Sequence, residues 1–444
     1  MRRVLLSALL LTACSRGPAR EAPAPSPAPT PASAATAATA TRTACCLDQG
    51  LRIADRWRAP EITGRRFTHE TLWRALAPAT QAPRLRTREI GRSLQGREIR
   101  AITFGEGPVT VLLWSQMHGD ESTATMALAD VLRWMAADDA DPLRERLRSA
   151  LTITMVPMLN PDGAELFQRQ NAVGIDVNRD ARMLSTPEAR ALKALRDELQ
   201  PRFGFNLHDQ NARQLVGQGG LPAAIALLAP AASEDKSWPA GRARARLVAA
   251  TIANMLAFEI PGRTAKYDDT FNARAFGDLM QAWGTSTVLV ESGALPNDPQ
   301  KQRLRAVNVA ILLTALDAIA TGGYAQADPR LYEQLPYNTS VRYDVVVVGG
   351  TVVLPGLAPV RADLAFTYDD AVARTGLRLR DVGDLRDVAA LDTVDASGLF
   401  LHPTPETLTT RDEQRWLVLG ESAELTVRRG VGPGSEEVRR WGKE

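Results

Sequence analysis

Between residues 97 and 321, short apolar runs alternate with longer stretches of helical period, and this alternation restricts the fold more than any other property of the chain. REIRAITFG (97–105), TVLLWSQ (110–116), ALTITMVPML (150–159), FGFNLHD (203–209) and TSTVLVESG (285–293) read as strands. Between and after them lie ESTATMALADVLRWMA (121–136), with Met126, Ala129, Leu132 and Met135 at helical spacing, and PEARALKALRDEL (187–199), with Pro187 near its start. ARARLVAATIANML (243–256) and KQRLRAVNVAILLTALDAIAT (301–321) continue the series, and HETLWRALA (69–77) forms a short helix ahead of it. Strands separated by helices predict an α/β fold: a mixed, mostly parallel twisted sheet flanked by helices, occupying residues 50–330. After about Tyr332 the texture changes. YDVVVVGGTVVLPG and ADLAFTY are rich in β-formers and glycine turns, so residues 338–444 are expected to form a small β-rich C-terminal module.

The beginning of the chain has a different character. MRRVLLSALLLTACSRG places Arg2 and Arg3 before an apolar run from Val4 to Leu11. A bilayer span needs about 20 apolar residues, so this run fits the core of a secretory signal instead. It ends in Leu-Thr-Ala-Cys, which resembles the bacterial lipobox. That resemblance implies a signal peptide over residues 1–14, a lipid on Cys14, and a membrane-anchored protein facing the periplasm. Ser15, rather than Asp, after the cysteine points to the outer membrane. Residues 15–43 are dominated by Pro, Ala, Ser and Thr, a composition expected of a disordered tether. Only Cys45 and Cys46 remain, which excludes a disulfide framework and leaves them free, paired together, or paired with another chain. The net charge of +2, with Lys and Arg scattered, gives no field for nucleic acid, and a monomer is expected.

The chain has four histidines: His69, His118, His208 and His402. His118 and Glu121 follow a strand at a His-x-x-Glu spacing, and His208 closes another strand. Two imidazoles and a carboxylate are suitable ligands for Zn²⁺, and three protein ligands leave a position open, as in catalytic sites. Taken alone, the same residues also fit capping and solvated polar groups. LNPDGAELFQRQNAVGIDVNRD (159–180) sets Arg169 and Arg179 among many turn formers. Glu291 ends the run VLVES, where partial desolvation would raise its pKa and suit it to general-base work.

HGDE, NPDG, the R-x-N…G-I-D-V-N-R stretch, NLHD and VLVESG occur in the order seen in zinc carboxypeptidases of the carboxypeptidase A type, and the chain resembles that family over roughly residues 65–325. The resemblance implies a zinc carboxypeptidase-like domain that cleaves the C-terminal bond of a peptide, and the envelope address points to cell-wall or imported peptides as substrates. His118, Glu121 and His208 would bind zinc, and Glu291 would act as general base on the metal-activated water. Arg169 would polarise the scissile carbonyl, and Asn178 and Arg179 would grip the terminal carboxylate. Asp176 would orient His118, and Tyr267 would match the family's mobile tyrosine. Asp180 departs from the family's usual Asn and would add negative charge near the terminal subsite; Arg274 is a candidate reader of an acidic group. The alternative reaction is zinc-dependent deacylation of N-acyl amino acids, as in the succinylglutamate desuccinylase and aspartoacylase group. A zinc-free envelope binding module is the alternative outside enzymes, and loss of any of His118, Glu121, His208 or Glu291 would have favoured it. The C-terminal stretch weakly resembles the small β domain that opens many amidohydrolases. No His-x-His follows His402, so no second active site is expected there.

Overall fold

The computed structural model describes residues 48–404, 408–411 and 414–442, without the side chains of 405–416. The signal-like segment, Cys14, the tether, Cys45 and Cys46 lie outside the described residues.

The main sheet has eight strands: β1 (Leu85–Arg92), β2 (Glu98–Phe104), β3 (Val109–Ser115), β4 (Leu151–Val156), β5 (Phe203–Asp209), β7 (Ile225–Leu228), β8 (Thr264–Lys266) and β9 (Ser286–Ser292). Their order is β1-β2-β4-β3-β5-β9-β7-β8. Four of the seven pairings are parallel: β4–β3, β3–β5, β5–β9 and β7–β8. The mixed, largely parallel sheet expected from the sequence is therefore present. A small ribbon pairs β6 (Gln214–Val216) with β10 (Asn338–Ser340).

The central strands are buried along nearly their whole length, because helices cover both faces. On one face the helices His69–Thr80, Thr123–Ala136, Ala240–Glu259 and Gln302–Ala320 pack into the larger apolar cluster. On the other, Pro187–Leu199 and Phe276–Ala282 cover Leu112, Trp114 and Val156. Local chemistry sets several boundaries. Thr186 caps Pro187–Leu199 by accepting from Ala189 N, and Pro187 takes the first turn, where its missing N–H costs nothing. Asp141 and Pro142 start Pro142–Ala150 in the same way.

The C-terminal region is a sandwich of two sheets around Val345, Phe366, Leu379, Leu401 and Leu425. One sheet has the strand order Thr375–Gly383, Asp363–Asp370, Tyr343–Val348, Ala390–Asp395. It is joined to the main sheet's surroundings by more than chain continuity. Arg213 Nη2 donates to Asp344 Oδ2 at 2.7 Å and to the Tyr368 carbonyl at 3.0 Å. Val341 N donates to the Arg213 carbonyl, and Arg65 pairs with Asp370.

Candidate metal centre and active site

Parallel strands β3, β5 and β9 run side by side and end at one edge of the sheet, the edge where open α/β sheets place their ligands. The register sets His208 of β5 opposite Glu291 of β9. From the end of β3 the chain turns through Gln116, whose φ of 50° is left-handed, into His118 and Glu121. Gly119 in this turn lies against the next segment: a Cβ there would sit 2.0 Å from the backbone carbon of Gly163. Only glycine lets these two backbones approach, and the approach brings the 160–180 segment up to His118.

There the expected ligands converge. One donor atom from each of His118, Glu121 and His208 lies within 4.8 Å of the others, and all three residues are buried. His118 Nδ1 is 2.8 Å from Glu121 Oε1, and His208 Nδ1 is 2.7 Å from Glu121 Oε2. The opposite ring nitrogens are held from behind. His118 Nε2 donates to Asp176 Oδ1 at 2.9 Å, and Asn178 Nδ2 stands 3.3 Å from His208 Nε2. Imidazoles fixed at their outer nitrogens, with the inner nitrogens sharing a carboxylate, are a donor set that suits zinc.

The electrostatics point the same way. Burial penalises Glu121 as an anion, yet the two imidazoles hold its carboxyl well below the usual range. Burial pulls His118 down, but Glu121 and Asp176 outweigh it and raise this imidazole to about 9. A site that draws a proton onto His118 is one built around a positive charge. Burial keeps His208 below its ordinary value. Glu291 is pushed up to about 8 by burial and by the neighbouring Glu121 charge. Tyr267 is raised to about 12, first by the charge of Glu291 and then by burial.

A cavity of about 330 Å³ opens on this cluster, with Glu291, Arg169, Arg179 and Tyr267 in its wall. Arg169 Nη1 is 3.1 Å from Glu121 Oε1, and its Nε donates to Asp176 Oδ2 at 3.1 Å. Residues 72–208, which supply two imidazoles, Glu121, Asp176 and both arginines, match the family model described as zinc carboxypeptidase. Over this segment the chain is similar to that family. Carboxypeptidase SOL1 of Arabidopsis thaliana is 27% identical over 129 residues, covering 27% of this chain and 26% of that protein. Carboxypeptidase 2 of Trichophyton rubrum is 29% identical over 107 residues, covering 24% and 20%. These curated relatives are thus spanned over only about a quarter of their length or less. The metallo-carboxypeptidase structure from Burkholderia cenocepacia aligns with a TM-score of 0.44 at 20% identity, covering 57% of this chain and 70% of that one.

Some expected site residues stand differently in the structure. Asn178 lines the cavity, but its amide is already engaged: Oδ1 accepts from Phe276 N at 2.9 Å while Nδ2 faces His208. Arg179 is the member of the pair with guanidinium nitrogens to spare, since among the described residues only its Nη1 is engaged, donating to the Asn178 carbonyl. Asp180 brings no charge to the cavity. It accepts from the backbone N–H and hydroxyl of both Ser185 and Thr186, which buries its carboxylate in the turn before the next helix. Arg274 is exposed, with its Nε on the Arg179 carbonyl, and is not part of the cavity wall. The two remaining histidines are structural. His69 Nε2 lies 2.8 Å from the Glu98 carbonyl, and His402 Nε2 lies 3.1 Å from that of Gly430. Among the cavity residues that went unread in the sequence are Asn206, Asp209 and Asp278. Asn206 and Asp209 sit in the NLHD stretch beside His208, and Asp209 Oδ2 takes the Lys301 ammonium at 2.9 Å.

Proposed function

We propose that this chain is a zinc-dependent carboxypeptidase that hydrolyses the C-terminal bond of peptides. The observation that carries the reading is the convergence of His118, Glu121 and His208 beside Glu291, which lies opposite His208 on the neighbouring strand. Zinc held by these three residues would polarise the scissile carbonyl and lower the pKa of water. The chain's own groups account for the rest. Glu291, buried and raised to about 8, is basic enough to take a proton from the attacking water and to pass it to the leaving amine. Arg169 presents a cation to the oxygen on which negative charge develops. Arg179 offers the planar fork that suits a terminal carboxylate. Tyr267, kept neutral, remains a hydrogen-bond donor in the cavity wall. Asp176 fixes the ring of His118.

The location belongs to the same proposal. Lipidation at Cys14 would hold the domain on the periplasmic side of the envelope, within reach of cell-wall peptides and imported peptides. Incorporation of labelled fatty acid into the wild type and its loss in Cys14→Ala would test this.

The direct test of activity is digestion of a peptide library by zinc-loaded protein with mass analysis of the products, beside Glu291→Gln. Release of single C-terminal residues is expected, and the variant should retain zinc while losing about 10²- to 10⁴-fold in rate, the usual contribution of a general base. Internal cleavage, no cleavage, or full activity in Glu291→Gln would overturn the reading. N-acyl amino acids assayed alongside separate the deacylase alternative.

A further inference from the structure

The last rung shared by β5 and β9 lies one residue past the site. The register pairs His208 with Glu291 and then Asp209 with Ser292. A single ammonium closes that rung. Lys301 Nζ donates to Asp209 Oδ2 at 2.9 Å and to the Ser292 carbonyl at 3.3 Å. Asp209 Oδ2 also accepts from Thr123 Oγ1 at 2.6 Å, and Asp209 N donates to Glu121 Oε2 at 3.1 Å. The cation thus ties together two strand ends and the start of the helix that follows the metal turn, while not itself lining the cavity. Three features of Lys301 work against its presence. Its ammonium is buried, which lysine rarely tolerates without a partner. Its backbone is left-handed, with φ 53° and ψ 31°, a conformation that favours glycine or asparagine. It stands at the N-terminal end of helix Gln302–Ala320, where the helix dipole opposes a cation. Nor does the helix need Lys301 as a cap, since Asp298 accepts from Gln302 N at 2.6 Å and from Leu304 N at 2.9 Å. Strain of this kind persists where the surroundings over-determine it, commonly at functional sites.

The group that needs such support is Glu291. Its carboxyl makes no side-chain hydrogen bond among the described residues, and burial with neighbouring charges governs it instead. Its direction is therefore set by the backbone and packing of β9, and the carbonyl that Lys301 holds belongs to the very next residue. We propose that Lys301 is a positioning residue for the general base: its ammonium clamps Asp209 to Ser292 and so fixes the end of β9 from which Glu291 enters the cavity. The proposal rests on the carboxypeptidase reading, in which Glu291 is the base, and adds a residue that touches neither the cavity nor a metal ligand. Asp209 is the counter-charge. A neutral side chain at 301 would leave it a buried anion whose like-charged neighbours are Glu121 and Glu291, and would leave the Ser292 carbonyl without this donor.

The test separates positioning from stability. Lys301→Met keeps much of the side chain's length and removes its charge; Asp209→Asn added to the same chain removes the buried anion as well. Rates are taken with zinc-loaded full-length protein, well below the unfolding transition of each variant. Lys301→Met is expected to lower Tm and to lower kcat about ten- to a hundredfold, the loss that a misplacement of about 1 Å produces, with KM little changed. The double variant should regain most of the lost Tm and none of the lost kcat, since no ammonium holds the Ser292 carbonyl. Hydrogen exchange read by mass spectrometry gives a measure independent of turnover. Exchange in Lys301→Met should quicken in segments 203–210 and 286–293, at the Gln210 N–H that donates to the Ser292 carbonyl above all, and stay as it is in β2. Wild-type kcat in Lys301→Met, a kcat that returns with Tm in the double variant, or unchanged exchange at both strand ends overturns the proposal. Failure of the wild type to cleave any peptide defeats the carboxypeptidase reading, while the exchange still decides whether Lys301 holds the two strand ends.

Discussion

Replacing Asp176 by Asn should weaken zinc binding about tenfold while leaving the fold in place. Asp176 caps the short 3-10 turn Val177–Arg179 by accepting from Asn178 N at 2.9 Å. Its Oδ1 also accepts from His118 Nε2 at 2.9 Å, and its Oδ2 takes the Arg169 guanidinium. Burial works against this carboxylate, but the hydrogen bond and charge of His118, with Arg169 and Arg179, hold it well below the usual carboxylate range. Asn keeps an acceptor for His118 and loses the charge. A charge-assisted bond contributes roughly 1.5–3 kcal/mol and a neutral one roughly 0.5–1.5, so the exchange costs about 1 kcal/mol. Arg169 is 38% exposed, so its pair with Asp176 adds less than about 1 kcal/mol. The sum, about 1–2 kcal/mol, agrees with the roughly 10- to 100-fold loss typical when the partner of a metal-bound histidine is removed. The assay is competition for zinc against a chelating dye near neutral pH, with thermal unfolding of the metal-free protein as control. The sign with pH also follows. A depressed carboxylate pKa stabilises the fold above the unfolded value of 3.8 and loses that contribution as pH falls through the folded value, so the variant and wild type should converge in strong acid. Wild-type zinc affinity in Asp176→Asn would refute the argument that this carboxylate sets the basicity of His118.

Three further outcomes are expected. Asp130 and Arg305 form a fully buried pair joining helices Thr123–Ala136 and Gln302–Ala320, and Arg305 also donates to the Ile62 carbonyl; Arg305→Met should cost about 3–5 kcal/mol in urea unfolding, with Asp130→Leu in the same chain recovering part of it. Arg213→Ala severs the Asp344 and Tyr368 contacts behind the cavity-wall residues Gln210, Asn211 and Gln214, so KM for peptides should rise several-fold with kcat little changed, and an unchanged KM would show that the β-rich module does not support the cavity wall. Asp278 is raised in the fold from 3.8 to about 6, so its ionisation costs stability as pH climbs past 3.8, fully so above 6; Asp278→Asn should therefore raise the free energy of unfolding near neutral pH by at most about 3 kcal/mol, seen as a higher Tm, and make no difference near pH 3.

The strands β3, β4, β5 and β9 were legible because a strand covered by helices on both faces must be apolar along its length, and runs such as TVLLW and STVLV have few other uses. β1 was not, because LRTREIGR at the sheet edge is mostly half-buried or exposed, and its four exposed positions, Arg86, Arg88, Glu89 and Arg92, are all charged. β7 and β8, of four and three residues, are too short to show a period. Helix Pro161–Leu166 was hidden for a different reason: PDGAEL is composed of turn formers, and its helical state is decided by the Asn160 cap and Pro161. The metal ligands and Glu291 were visible because each ends or follows an apolar run. The use of Asn178 was not, since it depends on a contact, Phe276 N, 98 residues away, that no local pattern announces.

The segment between the metal turn and helix Pro187–Leu199 gathers these threads. Its polar residues look in the sequence like those of a surface loop, yet Asn160, Asn171 and Asp180 are buried, each accepting from backbone N–H groups of its own segment. The effect is to hold one short turn, Val177–Arg179, rigidly against the strand ends. Asp176, capping that turn, braces the outer nitrogen of His118, and Asn178 within it faces the outer nitrogen of His208, so two ligands from different strands share one support. Arg179, the next residue, is thereby set in the cavity wall at a defined place relative to both imidazoles. Asp180 follows directly, and its four hydrogen bonds anchor the far end of the turn instead of adding charge to the substrate site. An Asn at 180 could accept the same hydrogen bonds on only one oxygen, and its amide would face two donors. Within this chain, the carboxylate at position 180 is therefore explained by the scaffold of the metal centre without any appeal to the charge of the substrate.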